Sequence, residues 1–339
     1  MAINAYYHVT VAGAGNNSGD SWANAMADSD FETHIEGSSV AGDVYFLKDG
    51  TYDFTGGDVD FNLRDATAVS PIAIIGVKAG TTNEGANIVY SDWSISAADR
   101  PFFDLGVNQI RTGDYCILRN LDLEGGGAST LNKGIGGYTE NCKIYNDSGT
   151  AGRDAVYNGV GSGIFNCEVE AETGNGIQTF SAPVLFTYIH DCDGAGYSAI
   201  VVYGAHVKMC FNILDNCSFG VNSTSDDHCL ALNNTFYETD VGVSETDAIH
   251  WACINNVMEG NDTDGFVWTT QTDANFFWKN HGDDTRCNDM WDGVDTTTVF
   301  QDYEVTTGDP VFDTPGSDHA IGAASPCYGT GMSIELGVT

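Results

Sequence analysis

An internal repeat is clearest in residues 141–217, NCKIYNDSGTAGRDAVYNGVGSGIFNCEVEAETGNGIQTFSAPVLFTYIHDCDGAGYSAIVVYGAHVKMCFNILDNC. This stretch contains evenly spaced cysteines, each preceded by an asparagine or aspartate: Asn141-Cys142, Asn166-Cys167, Asp191-Cys192 and Asn216-Cys217. The same position of the repeat recurs before and after this stretch, at Asn120-Leu121, Asn233-Asn234, Asn255-Asn256 and Asn280-His281. These intervals lie near the lower end of the roughly 20–50 residues per unit that indicate a solenoid, and such a period outranks local propensity in deciding a fold.

A second register of the repeat is independent of the cysteines. A small residue followed by a β-branched or aromatic one recurs with nearly the same period, at Ala155-Val156, Gly176-Ile177, Ala199-Ile200, Gly220-Val221, Gly242-Val243 and Gly265-Phe266. Between these markers lie short alternating segments separated by Gly, Asn and Asp, without a helical pattern. We therefore predict an all-β fold, a right-handed parallel β-helix with three short strands per coil and coils stacked ~4.8 Å apart.

Stacked coils place equivalent residues over one another, so the repeated slot predicts structural ladders. We predict one asparagine ladder in a tight turn, made of Asn120, Asn141, Asn166, Asp191, Asn216, Asn233 and Asn255. We predict an inward cysteine row beside it, made of Cys142, Cys167, Cys192 and Cys217. No CxxC pair supports a zinc site. Free thiols are expected, since Cβ vectors in a parallel stack do not converge.

Three further segments carry a family resemblance. Tyr6 to Met26 (YYHVTVAGAGNNSGDSWANAM) and Gly42 to Tyr52 (GDVYFLKDGTY) are similar to the entry segment and first coil of pectate-lyase-like parallel β-helix proteins. Residues 309–312 (DPVF) with 325–327 (SPC) resemble their closing segment. The resemblance implies the fold, but this superfamily contains lyases, hydrolases, phage tailspikes and non-catalytic adhesins. Function must therefore be argued from the site.

The chain is expected to form one structural domain with capped ends. Residues 1–40 are predicted as an N-terminal strand and a capping helix around Ser21 to Ile35, residues 41–282 as coils, and residues 283–339 as a C-terminal coil or cap. Caps are needed because the end coils of a solenoid expose apolar surface and strand edges.

Charge limits the partners. The 48 Asp and Glu against 12 Lys and Arg give a net charge of -36. Such a surface repels nucleic acid and anionic lipid. No apolar run has the ~18 residues of a membrane span, and residues 1–10 do not read as a signal peptide. We expect a virion or extracellular-surface location.

Alternation of side chains predicts which residues face outward on the sheet that contains the second register. Tyr157, Gln178, Phe180, Tyr203 and Asn222 are the candidate glycan contacts. Strand propensity alone would also place aromatic residues there. The predicted outward rows are neutral and hold no paired carboxylates, which argues against an active site in this groove.

Acidic residues recur in the turns that follow. Asp226, Asp227, Glu245, Asp247 and His250 are the catalytic candidates, because Asp226 and Asp247 are one repeat apart and carboxylates on adjacent coils would lie ~5 Å from each other, as in retaining glycosidases. Asp226, Asp227 and Asp247 would equally hold Ca²⁺, the one cofactor under consideration. Coincidence in so acidic a chain is the competing explanation.

The function that these features favour is a non-catalytic or glycan-contacting β-helix surface protein, a phage virion appendage or decoration component. The alternatives are a glycoside hydrolase or depolymerase that uses the turn carboxylates, and a Ca²⁺-dependent polysaccharide lyase. The expected partners are a polysaccharide or cell-surface glycan, or other virion proteins. The resemblance to tailspikes implies a homotrimer as one oligomeric state.

Overall fold

Short alternating segments form parallel strands along the chain. The computed structural model describes residues 2–61, 66–192, 194, 196–223, 228–246, 251–259, 264–268, 276–278, 280–282, 289–292, 300–301, 312–314 and 318–321. In these residues the strands are β1 (Tyr6–Val9), β2 (Val44–Leu47), β3 (Thr51–Asp53), β4 (Val59–Phe61), β5 (Ile72–Gly76), β6 (Phe102–Asp104), β7 (Ile110–Thr112), β8 (Cys116–Arg119), β9 (Asp122–Gly125), β10 (Ser129–Lys133), β11 (Tyr138–Glu140), β12 (Lys143–Asn146), β13 (Asp154–Asn158), β14 (Gly163–Phe165), β15 (Glu168–Ala171), β16 (Ile177–Thr179), β17 (Pro183–Leu185), β18 (Tyr188–Cys192), β19 (Ser198–Val202), β20 (Lys208–Cys210), β21 (Ile213–Cys217), β22 (Phe219–Ser223), β23 (Leu230–Leu232), β24 (Thr235–Tyr237), β25 (Val241–Glu245), β26 (Ala252–Ile254), β27 (Val257–Glu259), β28 (Asp264–Trp268), β29 (Phe276–Trp278), β30 (His281–Gly282), β31 (Asp289–Asp292), β32 (Phe300–Gln301), β33 (Phe312–Thr314) and β34 (Asp318–Ile321). The helices are α1 (Asp28–Gly37) and α2 (Tyr90–Trp93), with 3-10 turns at Trp22–Asn24, Gly85–Asn87 and Ala97–Asp99.

Most of these strands form three parallel sheets that the chain visits in a fixed order. The first sheet runs β1-β2-β5-β8-β11-β14-β17-β20-β23-β26-β29-β32. The second runs β3-β6-β9-β12-β15-β18-β21-β24-β27-β30, and the third runs β4-β7-β10-β13-β16-β19-β22-β25-β28-β31. Each coil takes one strand from the first, second and third sheet in turn. This architecture confirms the predicted all-β parallel β-helix.

The core is continuous because the inward residues of successive coils are in register. In the third sheet Val156 pairs with Ile177, and Ile177 with Ile200, and all three side chains are fully buried. The small residue before each of them lets the chain enter the strand without crowding the core. At Gly220, for example, an added Cβ would lie 2.3 Å from the Phe236 ring.

The N-terminal helix covers the first coil, as the sequence predicted, although its bounds differ. The predicted segment 21–35 divides into the 3-10 turn Trp22–Asn24 and helix α1. Phe31 of α1 is fully buried and packs edge-on against Tyr45 and Phe103 of the first coils. Strand β1 itself pairs with β2, so the first sheet begins before residue 41.

The coils also extend beyond residue 282, the predicted limit. Strand β31 continues the third sheet, and β32 continues the first. After them β33 and β34 form an antiparallel pair, which differs from the parallel pairing of the coils.

A long excursion, residues 77–101, leaves the solenoid between β5 of the first sheet and β6 of the second. It returns over the outer face of the first sheet and encloses a second apolar cluster around Phe46, Ala73 and Ile117. Among the described residues, no helix has both the length and the apolar character needed to cross a bilayer.

Candidate functional site

The turn between the first and second sheets, here called the first turn, holds only part of the predicted asparagine ladder. Asn120, Asn141, Asn166, Asn233 and Asn255 lie there with φ between 50° and 57°, a left-handed conformation that asparagine tolerates. Side-chain amides link neighbouring coils. Asn141 Nδ2 donates to Asn120 Oδ1 at 2.6 Å, and Asn255 Nδ2 to Asn233 Oδ1 at 2.6 Å.

The other two predicted members lie elsewhere. Asp191 and Asn216, each with φ 50°, are the next-to-last residues of β18 and β21, where the second sheet leads into the turn toward the third, and Asn216 Nδ2 donates to Asp191 Oδ1 at 2.6 Å. The first turn is instead continued by Phe186 and Phe211, at φ 55° and 59°. The predicted single ladder is therefore two ladders. The shorter interval from Asn216 to Asn233 was the sequence signal for this change of turn.

A buried asparagine row that the sequence analysis did not separate lies one residue further along the first turn. Each side chain of Asn212, Asn234 and Asn256 donates to a backbone carbonyl and to the next asparagine Oδ1, at 2.8–3.1 Å. Asn280 ends the described row and donates to Cys253 O at 2.9 Å. These amides satisfy polar groups in the interior, where water has no access.

The predicted cysteine row divides in the same way as the asparagines. Cys142 and Cys167 occupy the inward slot of the first turn, whereas Cys192 and Cys217 are register partners at the ends of β18 and β21. In the described residues every cysteine is buried. Burial raises the pKa of the Cys116 thiol to about 12, so this thiol stays protonated at neutral pH.

The outer face of the third sheet, here called the groove face, carries the predicted glycan contacts. Tyr157, Gln178 and Asn222 lie in one register row. Tyr157 is 37% exposed and Tyr203 is 45% exposed. The ring of Phe180 lies 5.1 Å from that of Tyr157 and 5.4 Å from that of Tyr203, measured between centroids. Three outward rings therefore follow the solenoid axis, one from each coil.

Gln178 is fixed by a neighbour that the sequence analysis missed. Its Nε2 donates to the carboxylate of Asp154, which also accepts from Asn175 Nδ2 at 2.8 Å. Burial raises the pKa of Asp154, and the hydrogen bonds from Asn175 oppose that shift. The carboxylate thus holds the amide of Gln178 in position on the groove face.

Of the predicted catalytic residues, Glu245 is the one that lies within the described ranges. Glu245 is the last residue of β25 and continues the inward alternation of Val243, so its side chain is only 1% exposed. Its position differs from the accessible turn carboxylate that the sequence analysis expected. Asp226, Asp227, Asp247 and His250 lie outside the described residues.

In the part of the chain that the structure describes, no group of three or more His, Cys, Asp or Glu side chains has the spacing of a metal site. His206 and His228, one coil apart beside the groove face, have ring centroids 5.2 Å from each other. The residues predicted to hold Ca²⁺, namely Asp226, Asp227 and Asp247, are among those outside the described ranges.

The second sheet carries a charged network that the sequence analysis did not identify. Lys143 Nζ lies 2.9 Å from Glu168 Oε1, and His190 contacts Glu168 at 3.6 Å and Asp191 at 2.8 Å. Burial opposes protonation of His190, but these two carboxylates raise its pKa above the ordinary 6.5. Contacts with His190 and with the ammonium of Lys143 lower the pKa of Glu168 to about 2, although burial opposes this shift.

This network binds coils to one another. Its members come from adjacent strands of the second sheet, and each charge faces an opposite one. The nearby Tyr188 hydroxyl donates to Asp215 Oδ2 at 2.8 Å, and its ring stacks on His190 at 4.4 Å. The side chain of His190 is only 12% exposed. The groove face, with its open rings and amides, is the better candidate for binding.

Comparisons with solved structures support the fold. The chain matches the pectate lyase Pel9A with a TM-score of 0.57 at 14% identity, covering 99% of this chain and 94% of that one. It matches an alginate lyase from Paenibacillus sp. with a TM-score of 0.56 at 10% identity, covering 82% and 95%. It matches a mannuronic acid-specific family 6 polysaccharide lyase from human gut microbiota with a TM-score of 0.56 at 13% identity, covering 83% and 65%. No family model and no curated protein matches the sequence.

Proposed function

We propose that this protein, a pectate-lyase-like right-handed parallel β-helix, binds a neutral glycan along its groove face. The observation that carries the proposal is the outward row Tyr157, Phe180 and Tyr203, with one ring per coil and centroids 5.1 and 5.4 Å apart. A linear polymer parallel to the solenoid axis meets an aromatic side chain at each of these three successive coils. Exposed tyrosines combine apolar ring area with a hydroxyl, which suits the mixed surface of a sugar.

The amides beside the rings complete the binding surface. Gln178 and Asn222 are half-buried on the same face, and Asp154 orients the amide of Gln178. Binding sites of this kind place a few oriented polar groups within a mainly apolar surface. The groove face can therefore recognise hydroxyl groups without using a charged side chain.

The charge of the protein favours a neutral glycan. The net charge of -36 repels a uronate polymer at long range, whereas an uncharged polysaccharide is not affected. The named activities of the similar structures, on pectate and alginate, support a carbohydrate ligand in general. The charge is the reason for preferring a neutral one.

We infer a role at a virion or extracellular surface, in which the β-helix is a rigid appendage that contacts glycan. Two features support this role. The outward positions of β13, β16, β19 and β22 are neutral, and Glu245 is enclosed in the interior. An acidic, well-solvated surface also suits a protein that must stay soluble outside the cell.

The proposal predicts that neutral polysaccharides retard the protein in native affinity gels and that Tyr203→Ala reduces this retardation. Loss of one aromatic contact, about 1.4 kcal/mol, should weaken binding roughly tenfold. Phe186→Ala is the matched control, because Phe186 is 52% exposed but lies in the first turn, away from the groove face. Unchanged retardation of the Tyr203 variant, or equal loss in both variants, would contradict the proposal.

A polysaccharide lyase is the second candidate, and the named activities of the similar structures favour it. Incubation with pectate and alginate, with added Ca²⁺ or with a chelator, separates the two. New unsaturated product ends that require Ca²⁺ would establish a lyase. New reducing ends without unsaturation would instead establish a hydrolase, and Asp226→Asn with Asp247→Asn would then test the turn carboxylates.

A further inference from the structure

An apolar cavity lies on the first sheet, apart from the groove face. Its volume is about 290 Å³, and it is bounded by the outer face of the first sheet and by the excursion 77–101. The lining is mainly aromatic and aliphatic, and includes Phe46, Ala73, Ile88, Trp93, Ile117 and Tyr138. The cavity is therefore separate from the interior core and is built from side chains that point outward.

A polar cavity of about 180 Å³ lies beside it. Its lining includes Tyr90, Asn120, Glu140 and Asn166. Trp93 and Arg119 line both cavities, so the two are contiguous. The first-turn asparagines Asn141 and Asn166 thus supply amide groups next to an aromatic, apolar space, whereas Asn120 is 2% exposed and its amide already donates to Gly76 O and Trp93 O.

Arg119 marks the boundary between the two parts. Its guanidinium lies 4.0 Å above the Trp93 ring and forms an ion pair with Glu140. Because the two charges compensate each other, the polar part offers hydrogen bonds without a net charge. Two of the lining side chains are large, apolar and exposed, namely Ile3 at 40% in the apolar part and Tyr90 at 71% in the polar part.

We propose that this two-part cavity binds a small uncharged amphiphile, with an apolar body in the aromatic part and a hydroxyl-bearing head among the amides. A contiguous apolar space with a few convergent polar groups is the usual form of a small-molecule site. An anionic head is disfavoured because the protein carries a net charge of -36 and Arg119 is already paired. Alkyl and aryl glycosides have the required chemistry.

The test is calorimetric titration of the full chain with octyl glucoside below its micelle concentration, with glucose and octanol as the two halves of the probe. We expect octyl glucoside to bind at least roughly tenfold more tightly than octanol, and glucose alone to bind least. Equal affinity for octyl glucoside and octanol would overturn the assignment of the polar part. Failure of both to bind would overturn the site.

Two variants locate the binding. Ala86→Trp fills the apolar part from an exposed position in the excursion, and Ala73→Leu fills it from the sheet. Each should lower the affinity roughly tenfold or more. Asn87→Trp is the matched control, because Asn87 is exposed beside Ala86 and is not among the lining residues. Should Ala73→Leu impair folding, Ala86→Trp decides alone, and binding unchanged by it would place the ligand elsewhere.

Discussion

Lys133 is a buried charged residue in the interior of the solenoid. It is the last residue of β10, its side chain is 3% exposed, and its Nζ donates to Thr139 Oγ1 at 2.9 Å. Burial lowers its pKa from 10.5 to about 8. A difference of this size corresponds to about 3 kcal/mol of stability that the protein loses while the amine is protonated.

Lys133→Met should therefore stabilise the protein at pH 7. Allowing about 1 kcal/mol for the lost bond to Thr139, we expect a gain of about 2 kcal/mol in denaturant unfolding. Between pH 8 and 10.5 the unfolded chain holds this proton more firmly than the folded chain does, so the stability of the wild type rises relative to the variant. The advantage of the variant should shrink across that window.

Lys143→Met is the control for Lys133. Lys143 is 37% exposed and paired with Glu168, and its pKa is raised, so the same substitution should give no gain at pH 7. A Lys133 variant less stable than the wild type at pH 7, or a difference independent of pH, would show that burial of the amine carries no such penalty.

At the scale of the secondary-structure element, two neighbouring asparagines of the first turn have different structural roles. Asn234 is buried and takes part in a continuous row, in which its Oδ1 accepts from the backbone N–H and the side chain of Asn212. Asn233 lies on the outer side of the same turn and accepts a bond from Asn255. The two adjacent residues thus separate an interior ladder from an exterior one.

Asn234→Ala should destabilise the protein by about 3 kcal/mol, because it leaves buried groups on Asn212 and the carbonyl of Met209 without their partner. Asn233→Ala, the matched control, should cost about 1 kcal/mol for placing alanine at positive φ. Denaturant unfolding of both variants measures the difference. Similar costs for the two variants would show that the buried row contributes no more than the exposed one.

Charge acts at the scale of the whole molecule. With a net charge of -36, most carboxylates repel one another across the surface, and this repulsion opposes the compact state. The pairs on the second sheet, such as Lys143 with Glu168, offset only a small part of it, because the chain has only 12 Lys and Arg.

Salt should therefore stabilise the protein strongly. Raising sodium chloride toward 1 M shortens the screening length to about 3 Å and should raise the thermal midpoint at pH 7 by several degrees. The same titration near pH 4.1, the isoelectric point, is the control, since little net charge remains to be screened there. A midpoint that does not respond to salt at pH 7, or responds equally at both pH values, would contradict this account.

Much of the fold could be predicted because its signals are local and repeated. The regular steps from Val156 to Ile177 and Ile200 placed the inward row of the third sheet correctly. The site was less accessible to prediction. Glu245 is acidic, yet the strand turns its side chain inward. Phe186 occupies a first-turn position that holds asparagine in other coils, and the composition of the chain does not indicate this replacement.

The period, the all-β class and the outward residues of the groove face follow from the amino-acid order alone, because inward and outward positions alternate along a strand. The turn that each repeated residue occupies does not follow from it. Asn166 and Asp191 have the same spacing as Asn141 and Asn166, yet Asn166 lies in the first turn and Asp191 near the end of β18, since the length of a coil varies with its loops. Likewise, Trp93 and Arg119 meet only because the excursion 77–101 folds back over the first sheet, and that contact depends on three-dimensional packing.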